Sequence, residues 1–449
     1  MEQQVVRDAS AVYLVEADNA TVEDVPPGYK RTEVGIIPSE WDIAPILNLV
    51  QLPNGQVDPK VEPYRSMTLV APDHIAEKTG ALLARVSAAA QGAISGKFVF
   101  EPGDVIYSKI RPYLQKAFSA SFKGLCSADM YPLRPRPGVS SGFILNTLLS
   151  DNFTEFAISV SARSGIPKIN RQELAQYKVA TPPPGEQRAI ATALSDADVL
   201  IESLDRLIAK KRAIKQATMQ QLLTGQTRLP GFTGEWETKC LGDHVSFLKT
   251  GTNSRAELTS NGRVAYLHYG DIHVRASVTL NPNSVTMPHI AASKVRRLDK
   301  LAPGDLVFVD ASEDLEGVGK SVEIIDVPNE GIVSGLHTIA ARFDKAVLAD
   351  GFKAYLQFCP QFIGTLRRLA AGTKVLATNR QHVASVKMEL PCVAEQQAIA
   401  TVLADMDTDI EALEHRRDKA RQIKQGMMQQ LLTGRVRLVA PHTTEPAAC

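Results

Sequence analysis

Residues 186–229 read EQRAIATALSDADVLIESLDRLIAKKRAIKQATMQQLLTGQTRL, and residues 395–438 read EQQAIATVLADMDTDIEALEHRRDKARQIKQGMMQQLLTGRVRL. The two stretches align without a gap at an offset of 209 residues, and 26 of the 44 positions are identical. The same offset places Gly142-Phe143 on Gly351-Phe352 and Asn170-Arg171-Gln172 on Asn379-Arg380-Gln381. The chain therefore consists of two copies of one unit, each a globular half followed by a long helix.

Both stretches have the apolar spacing of a coiled-coil seam, with steps that alternate between four and three residues. The residues predicted to pack between the helices are Ile190, Leu194, Ile201, Leu204, Ile399, Leu403, Ile410 and Leu413. Both stretches end in Leu-Leu-Thr-Gly, which places Gly225 and Gly434 where a left-handed C-terminal cap is expected. A helix over 186–223 would be about 57 Å long and cannot bury its own apolar stripe. Its twin in the same chain is the expected antiparallel partner, and a generic dimerisation coiled coil is the alternative.

The composition restricts the class of protein. A chain of 449 residues has room for two or three domains, and its net charge of +1 requires any nucleic-acid binding to come from local patches. No apolar run approaches the ~18 residues needed to span a bilayer. The opening MEQQVVRDAS lacks the features of a signal peptide, and the five cysteines have no metal or redox spacing. We therefore expect a cytoplasmic protein that does not contact a membrane.

The predicted fold class is α+β. Two mixed α/β domains are expected to be separated by two long antiparallel coiled-coil helices, and an internal pseudo-two-fold repeat is expected to relate them. The boundaries between the predicted segments are placed at prolines and glycines and where the pattern of apolar residues changes. The predicted segments are an extension at 1–27, a domain at 28–181, a helix at 182–229, a domain at 230–390, a helix at 391–438 and a tail at 439–449.

Signatures of catalysis are incomplete or missing. The segment EGVGKS (316–321) resembles the end of a nucleotide-binding P-loop, but Asp314 stands where such a loop has its first glycine. No Gly-x-Gly-x-x-Gly motif follows a predicted strand, and the Asn/Asp-Pro-Pro-aromatic motif of adenine methyltransferases is absent. The sequence therefore predicts no catalytic residue.

Histidines and acidic residues also fail to form a convincing site. His268 and His273 have no cysteines or carboxylates at a metal-binding spacing, so both are interpreted as ordinary histidines. Asp310, Glu313 and Asp314 are interpreted as a solvated acidic turn rather than a nuclease cluster. No metal ligand is predicted.

Two segments of the first domain, YSKIRPYLQK (107–116) and SARSGIPKINRQ (161–172), combine cations with aromatic or amide side chains. Cationic groups can neutralise phosphates, and amides can read adenine edges in the major groove. The candidate DNA-binding residues in these segments are Lys109, Arg111, Lys116, Arg163, Lys168, Asn170 and Arg171.

Basic and amide side chains also occur in loops of the second domain. The candidate DNA-binding residues there are Arg255, Lys320, Lys374, Asn379 and Arg380. Each of these could be an ordinary solvated charge, but their occurrence in both halves favours a shared binding function.

Taken together, the motifs resemble the specificity subunit of a type I restriction–modification enzyme. The resemblance rests on GYKRTEVGIIPSEW (28–41), PGDVIYSKIRPYLQK (102–116), PGDLVFVDASEDLEGVGKS (303–321), the Pro-rich leads into Glu-Gln and the Gln-Gln-Leu-Leu-Thr-Gly helix ends. It covers nearly everything from residue 28 to 438. The second lead-in departs from the pattern, because Pro391-Cys392-Val393 replaces three prolines.

This resemblance implies a non-catalytic adapter that reads double-stranded DNA. The domains at 28–181 and 230–390 would be target recognition domains, each reading one half of a bipartite site. The helices would set the unread spacer and dock two methyltransferase subunits. These partners would carry S-adenosylmethionine, and endonuclease/translocase subunits would carry ATP and Mg²⁺, so no cofactor is expected on this chain.

Two other functions stay open. A coiled-coil scaffold could join two protein-binding domains without any DNA contact. A fused restriction–modification enzyme that has lost its catalytic motifs is less compatible with the chain, because no room remains for those motifs.

Overall fold

The structure, a computed structural model, describes residues 25–161, 165–260, 262–372 and 374–438. The chain divides into two compact units: unit 1 is Met1–Ser203 with Arg417–Cys449, and unit 2 is Leu204–Arg416. Each unit mixes helices with short strands, so the α+β class predicted from the sequence is confirmed. The predicted tail at 439–449 and most of the predicted extension, residues 1–24, lie outside the described residues.

The helices range from single turns to 40 residues. In chain order they are α1 (Ile46–Leu49), α2 (Ser141–Leu148), α3 (Asp151–Ser161), α4 (Arg171–Leu174), α5 (Pro184–Leu223), α6 (Tyr269–His273), α7 (Pro360–Leu369), α8 (Arg380–Ala384) and α9 (Val393–Leu431). Proline is tolerated at the start of α5 because the first helical N–H groups have no intrahelical acceptor. Gly225 and Gly434 follow α5 and α9 with φ of +70° each, which confirms the predicted left-handed caps.

None of the helices in the described ranges is both long and apolar enough to cross a membrane.

The described residues of unit 1 form four small sheets. Its strands are β1 (Tyr29–Thr32), β2 (Gly35–Pro38), β3 (Asp42–Pro45), β4 (Val50–Gln51), β5 (Thr68–Val70), β6 (Val86–Ser87), β7 (Phe98–Phe100), β8 (Val105–Ser108), β9 (Ala117–Ser119), β10 (Gly124–Cys126), β11 (Met130–Pro135) and β12 (Lys178–Thr181). The sheet orders are β1-β2, β6-β5-β10-β7, β4-β11-β8-β9 and β12-β3. All neighbouring strands are antiparallel except β5 and β10, which are parallel.

The described part of unit 2 also forms four sheets. Its strands are β13 (Glu237–Cys240), β14 (Val245–Phe247), β15 (Val264–Leu267), β16 (Thr279–Leu280), β17 (His289–Ile290), β18 (Leu306–Val309), β19 (Ala311–Ser312), β20 (Ser321–Ile324), β21 (Ile332–Ser334), β22 (Thr338–Phe343), β23 (Leu376–Ala377) and β24 (Lys387–Leu390). The sheet orders are β13-β24, β14-β22-β18-β20-β16, β17-β15-β21 and β19-β23. The pairs β15/β21 and β16/β20 are parallel.

The interior strands that are buried along their whole length include β8 in unit 1 and β18 in unit 2. Tyr107 of β8 packs edge to face on Phe153 with ring centroids 5.3 Å apart, and Phe308 of β18 stacks on Phe362 at 5.7 Å. Such aromatic pairs add stabilisation beyond the area that they bury. Each unit therefore anchors one central strand to a neighbouring helix by a pair of rings.

The two long helices lie side by side and antiparallel within each unit. In unit 2, Lys211 of α5 pairs with Asp409 of α9, and Lys215, one turn further along α5, pairs with Asp407. In unit 1, Lys424 of α9 pairs with Asp198 of α5 at 2.6 Å. Ion pairs near the surface contribute little stability, so packing of apolar side chains carries most of it.

Burial along the helices follows the predicted seam. In unit 1, Ile190 and Leu194 are fully buried, while Ile201 is partly exposed. In unit 2 the seam residues Leu204, Ile399, Leu403 and Ile410 are buried, and Leu413 is partly exposed. The side chains nearest to the globular parts are thus the most deeply buried.

The Glu-Gln pair that opens each repeated stretch is buried and structural. Gln187 accepts a hydrogen bond from the main-chain N–H of Ser140 at 3.0 Å, and Gln396 accepts one from Ala349 at 2.9 Å. Each glutamine also donates to the carbonyl of the proline five residues before it. Buried polar groups need such partners, so these glutamines fix the lead-in to the globular part beside it.

The glutamate of each pair joins a tryptophan and an arginine. In unit 1, Glu186 accepts from Trp41 Nε1 at 2.9 Å and from Arg437 Nε and Nη2 at 2.6 and 2.9 Å. In unit 2, Glu395 accepts two hydrogen bonds from Arg228, whose guanidinium lies 5.7 Å from the ring of Trp236. Each arginine follows the glycine cap of one long helix, and each glutamate opens the other. These clusters fasten the helix ends to their units.

Candidate nucleic-acid interface

A Pro-Gly-Asp turn introduces the central strand of each unit. Asp104 is buried, accepts from the N–H three residues before it and holds Arg134 through two hydrogen bonds of 2.9 Å. Asp305 makes the same set of contacts with Arg342, through bonds of 2.8 and 2.7 Å. These hydrogen bonds raise the pKa of both arginines. The Pro-Gly-Asp motif therefore fixes the start of the central strand, and the residues that follow this strand project beyond its end.

In unit 1 the residues after β8 meet the second basic segment. The N–H of Arg111 donates to the carbonyl of Pro167 at 2.8 Å, and the N–H of Ile169 donates to the carbonyl of Lys109 at 2.9 Å. Arg111 has φ of +49°, a left-handed conformation that turns the chain there. The structure thus joins two predicted DNA-binding segments that are more than 50 residues apart in the sequence. We call Lys109, Arg111, Lys168 and Arg171 the basic edge of unit 1.

Most side chains of the basic edge are accessible to a ligand. Arg111, Lys168 and Arg171 are exposed, and within the described ranges their side chains have no ion-pair or hydrogen-bond partner. Lys109 is partly buried, with its Nζ 5.5 Å from the ring centroid of Tyr131. Tyr113, 49% exposed, lies on the same loop. Cations beside an exposed aromatic ring can neutralise phosphates and pack on sugars or bases.

The other candidates of unit 1 are differently placed. Lys116 is mostly buried, with its Nζ 4.0 Å from Glu77. Asn170 is the N-cap of α4, where its Oδ1 accepts from the N–H of Glu173 at 2.9 Å. Arg163 lies outside the described residues. Only the amide nitrogen of Asn170 is left for another acceptor.

Unit 2 repeats the main-chain arrangement with different side chains. After β18 the chain continues into β19, which pairs with β23, and the N–H of Thr378 donates to the carbonyl of Asp310 at 2.8 Å. Counted from the Pro-Gly-Asp turns, Asp310 and Ser312 take the positions of Lys109 and Arg111. The edge that is basic in unit 1 is therefore acidic and polar in unit 2.

Histidines surround one tyrosine near this edge. The ring of Tyr269 is contacted by His268, His273 and His337, with centroid distances of 4.4, 6.0 and 5.4 Å. His337 Nδ1 lies 3.2 Å from Asp310 Oδ1. Burial lowers the pKa of His268. Within the described ranges, no three His, Cys, Asp or Glu side chains are placed to hold a metal ion.

Three other candidate DNA-binding residues of unit 2 already form contacts within the unit, which leaves fewer of their polar atoms for DNA. Arg255 pairs with Asp271 through Nη1 at 2.6 Å. Asn379 is the N-cap of α8 and accepts from the N–H of His382. Arg380 Nη2 donates to the carbonyl of Leu248 at 2.7 Å, whereas Lys374 is exposed.

Lys320 lies in a cleft of about 520 Å³ that also contains Arg275 and Arg367, and we call these three residues the cationic cleft. Lys320 Nζ donates to the carbonyl of His273, whose Nε2 lies 3.1 Å from the carbonyl of Ala311. Sequence reasoning missed Arg275 and Arg367 because Arg275 has no basic neighbour in the sequence and Arg367 has only Arg368. No local signal marks them, since α6 and α7 bring them to Lys320 only in the folded unit.

Comparisons with known proteins agree on one class. A family model described as "Type I restriction modification DNA specificity domain" matches residues 87–210. The EcoDI specificity subunit of Escherichia coli is 29% identical over 215 residues, which are 47% of this chain and 46% of that relative. A putative specificity subunit of Methanocaldococcus jannaschii, MjaX, is 22% identical over 430 residues, which are 91% of this chain and 97% of that relative. The chain thus matches about half of the first relative and nearly all of the second.

Solved structures of low sequence identity share the fold. The type I S subunit of M. genitalium superimposes with a TM-score of 0.55 at 14% identity, over 87% of this chain and 96% of that one. A chain from a study of complex assembly and conformational transition in a type I R-M system gives a TM-score of 0.58 at 17% identity, over 89% of this chain and 99% of that one.

Proposed function

We propose that the chain is a specificity subunit of a type I restriction–modification enzyme and that it reads a bipartite site in double-stranded DNA. In this proposal, residues 28–181 and 230–390 are target recognition domains, each reading one half-site. Residues 182–229 and 391–438 set the unread gap, and 1–27 and 439–449 are an extension and a tail. The chain itself is not catalytic.

The basic edge of unit 1 is the observation that supports DNA reading most directly. Its cations converge from two distant segments and form no ion pair with an acidic side chain among the described residues. Surfaces that bind only proteins have no need to concentrate unpaired cations, whereas a phosphate backbone attracts them strongly. The scaffold function gives no reason for this arrangement.

The length of the helices supports a spacer role. A 40-residue helix such as α5 is about 60 Å long, and one turn of B-DNA is about 34 Å. Helices of this length suit an unread gap of one to two DNA turns.

The helices also offer a surface for partner subunits. In unit 2, Leu207 and Ile214 of α5 are one heptad apart and 40% and 44% exposed. An apolar stripe of this spacing on a helix is what a partner helix buries. We propose that methyltransferase subunits, two per complex, dock on such surfaces and carry S-adenosylmethionine. Endonuclease/translocase subunits would carry ATP and Mg²⁺.

The test is to co-express the chain with the methyltransferase subunit in a host without adenine methylation and to map modified adenines by single-molecule sequencing. The proposal requires a split motif with a gap of fixed length. The methyltransferase alone is the control and should give no motif. A soluble complex that produces no methylation and has no salt-sensitive DNA affinity would favour the protein scaffold instead.

A modularity test separates the two domains. Exchanging 28–181 for the first domain of another family member should change one half of the methylated motif and leave the other half intact. A change in both halves would contradict independent reading.

Docking is tested by a double substitution, Leu207→Glu with Ile214→Glu. Both side chains are exposed in unit 2, so the chain should fold normally but lose co-purification with the methyltransferase. Retention of the complex would place the docking surface elsewhere.

A further inference from the structure

The three cations of the cationic cleft of unit 2 form no ion pair within the described ranges. Arg275 Nε is buried and has no hydrogen-bond partner among the described residues. Lys320 Nζ has a single acceptor, a main-chain carbonyl, and Arg367 has neither an ion pair nor a hydrogen bond within the described ranges. A buried donor without an acceptor is destabilising, so the cleft is arranged for an acceptor that the chain does not supply.

Acidic residues at the cleft do not neutralise these cations. Asp314 accepts from the N–H of Gly317 through Oδ1, and neither Asp314 nor Glu316 forms an ion pair with a cation of the cleft. Burial lowers the pKa of both Arg275 and Lys320, and for Arg275 it outweighs the opposing effect of Asp271, whose carboxylate pairs with Arg255. Phe358, 40% exposed, adds an aromatic face to the same wall.

The position of the cleft links it to the edge of unit 2. An added Cβ at Gly317 would lie 2.3 Å from Ser312 Oγ, so the loop of the cleft presses directly on the strand that follows Asp310. In unit 1 the corresponding positions carry Lys109 and Arg111, whereas unit 2 has Asp310 and Ser312 there. Unit 2 therefore lacks the cations of the edge itself and has three cations in the adjoining cleft.

We propose that the cationic cleft formed by Arg275, Lys320 and Arg367 binds a phosphate group of the DNA backbone next to the bases that unit 2 reads. This inference rests on the proposed DNA-reading function and adds to it a site and a ligand class. Arginine and lysine donors converging in a partly dehydrated cleft match the oxygens of a phosphodiester. Contact with a phosphate fixes the register of the domain on the duplex without reading sequence.

A free nucleotide is the other source of the same chemistry. The loop EGVGKS at 316–321 has the end of a P-loop sequence, but Asp314 replaces its first glycine. Gly319 precedes a short strand, β20, rather than the helix whose N-terminus helps to hold a nucleotide phosphate in a P-loop. The loop therefore fits a phosphate of the DNA backbone better than a phosphate of a free nucleotide. The experiment tests both ligands.

The experiment measures binding of a fluorescent duplex that contains the methylated motif to the complex with methyltransferase, at several salt concentrations. The test variant is Arg275→Gln with Lys320→Gln, and the control is Arg297→Gln with Lys387→Gln, two exposed cations of unit 2 outside the cleft. Loss of one phosphate contact should weaken binding about tenfold and reduce the slope of log K against log salt by about 1. The control should keep a slope within a few tenths of the parent value.

Because a phosphate contact carries no sequence information, the test variant should methylate the same motif less completely. Arg367→Gln alone, at the exposed rim, provides a second variant that does not disturb packing and should show a smaller shift in the same direction. If the parent complex binds no DNA, the proposed function fails. If the parent binds and both cleft variants match the control, only the cleft inference fails.

Inorganic phosphate and ATP are added to the chain in a thermal-shift assay as the second arm. Stabilisation by either ligand that the double variant abolishes, together with unchanged DNA affinity, would assign the cleft to a free nucleotide and overturn the backbone proposal.

Discussion

Replacing Glu186 by alanine tests how the first helix is fastened to unit 1. Glu186 is 2% exposed and accepts three hydrogen bonds, two from Arg437 and one from Trp41 Nε1. The guanidinium of Arg437 also lies 5.8 Å from the Trp41 ring. Removal of the carboxylate therefore leaves the buried indole N–H without an acceptor and leaves the largely buried Arg437 with only its contact to Glu40, at 3.2 Å.

The expected loss in the free energy of unfolding is about 3–5 kcal/mol, the usual cost of removing one partner from a buried charge pair. Glu395→Ala provides a comparison inside the same chain. Trp236 Nε1 has no hydrogen-bond partner among the described residues, so Glu395 holds Arg228 without an indole bond. Its loss should be about 1 kcal/mol smaller, the value of a typical hydrogen bond.

The chain contains only two tryptophans, one in each cluster, so urea unfolding can be followed separately for each unit. Trp41 fluorescence in a Trp236→Phe background reports on unit 1. The control is Glu155→Ala, which removes an exposed carboxylate from α3 in the same unit and should cost less than about 0.5 kcal/mol.

A cost for Glu186→Ala no larger than that of Glu155→Ala would refute the reasoning. An Arg437→Ala variant should be strongly non-additive with Glu186→Ala, because both substitutions remove the same contacts.

Three further outcomes are expected. Lys109→Gln with Arg111→Gln should reduce the slope of log K against log salt for DNA binding by about 2, and an unaltered slope would remove both residues from the interface. Leu204→Lys places a charge at a buried seam position of α5 and should cost about 3 kcal/mol or more, whereas Leu207→Lys, at a 40% exposed position, should change the free energy of unfolding by less than about 0.5 kcal/mol; equal melting of the two variants would contradict the seam. Burial raises the pKa of Glu323 from its ordinary 4.5 to about 7, so folding takes up a proton between these values, and stability should fall by about 3 kcal/mol as pH rises through that window and stay level above it. Urea titrations at pH 5 and pH 8 measure this difference, which Glu323→Gln should largely remove.

Features that depend on neighbours along the chain were predictable. The helices at 186–223 and 395–431, their glycine caps and the α+β class follow from periodicity and turn chemistry, which act over one or two turns. The ordered set of repeated motifs indicated the class of protein, and the family comparisons agree with it.

Features that depend on contacts between residues far apart in the sequence were not predictable from the sequence. Asn170 and Asn379 were expected to face bases, but in the structure the side-chain oxygen of each caps a short helix. A local sequence pattern does not distinguish these two uses, because the same amide suits both. Whether either side chain also contacts DNA stays a prediction.

By itself, the sequence determined that this chain has two similar parts, that each is followed by a long amphipathic helix, and that cations cluster in certain loops. Only the tertiary structure decided that Arg437 reaches Glu186, that the main chain at 109–111 lies beside 167–169, and that Arg275, Lys320 and Arg367 share a cleft. The physical reason is the distance in sequence over which each interaction acts. Helix periodicity and capping are set by residues within a few positions of one another. A charge becomes a binding group or a structural one according to which distant segment packs against it.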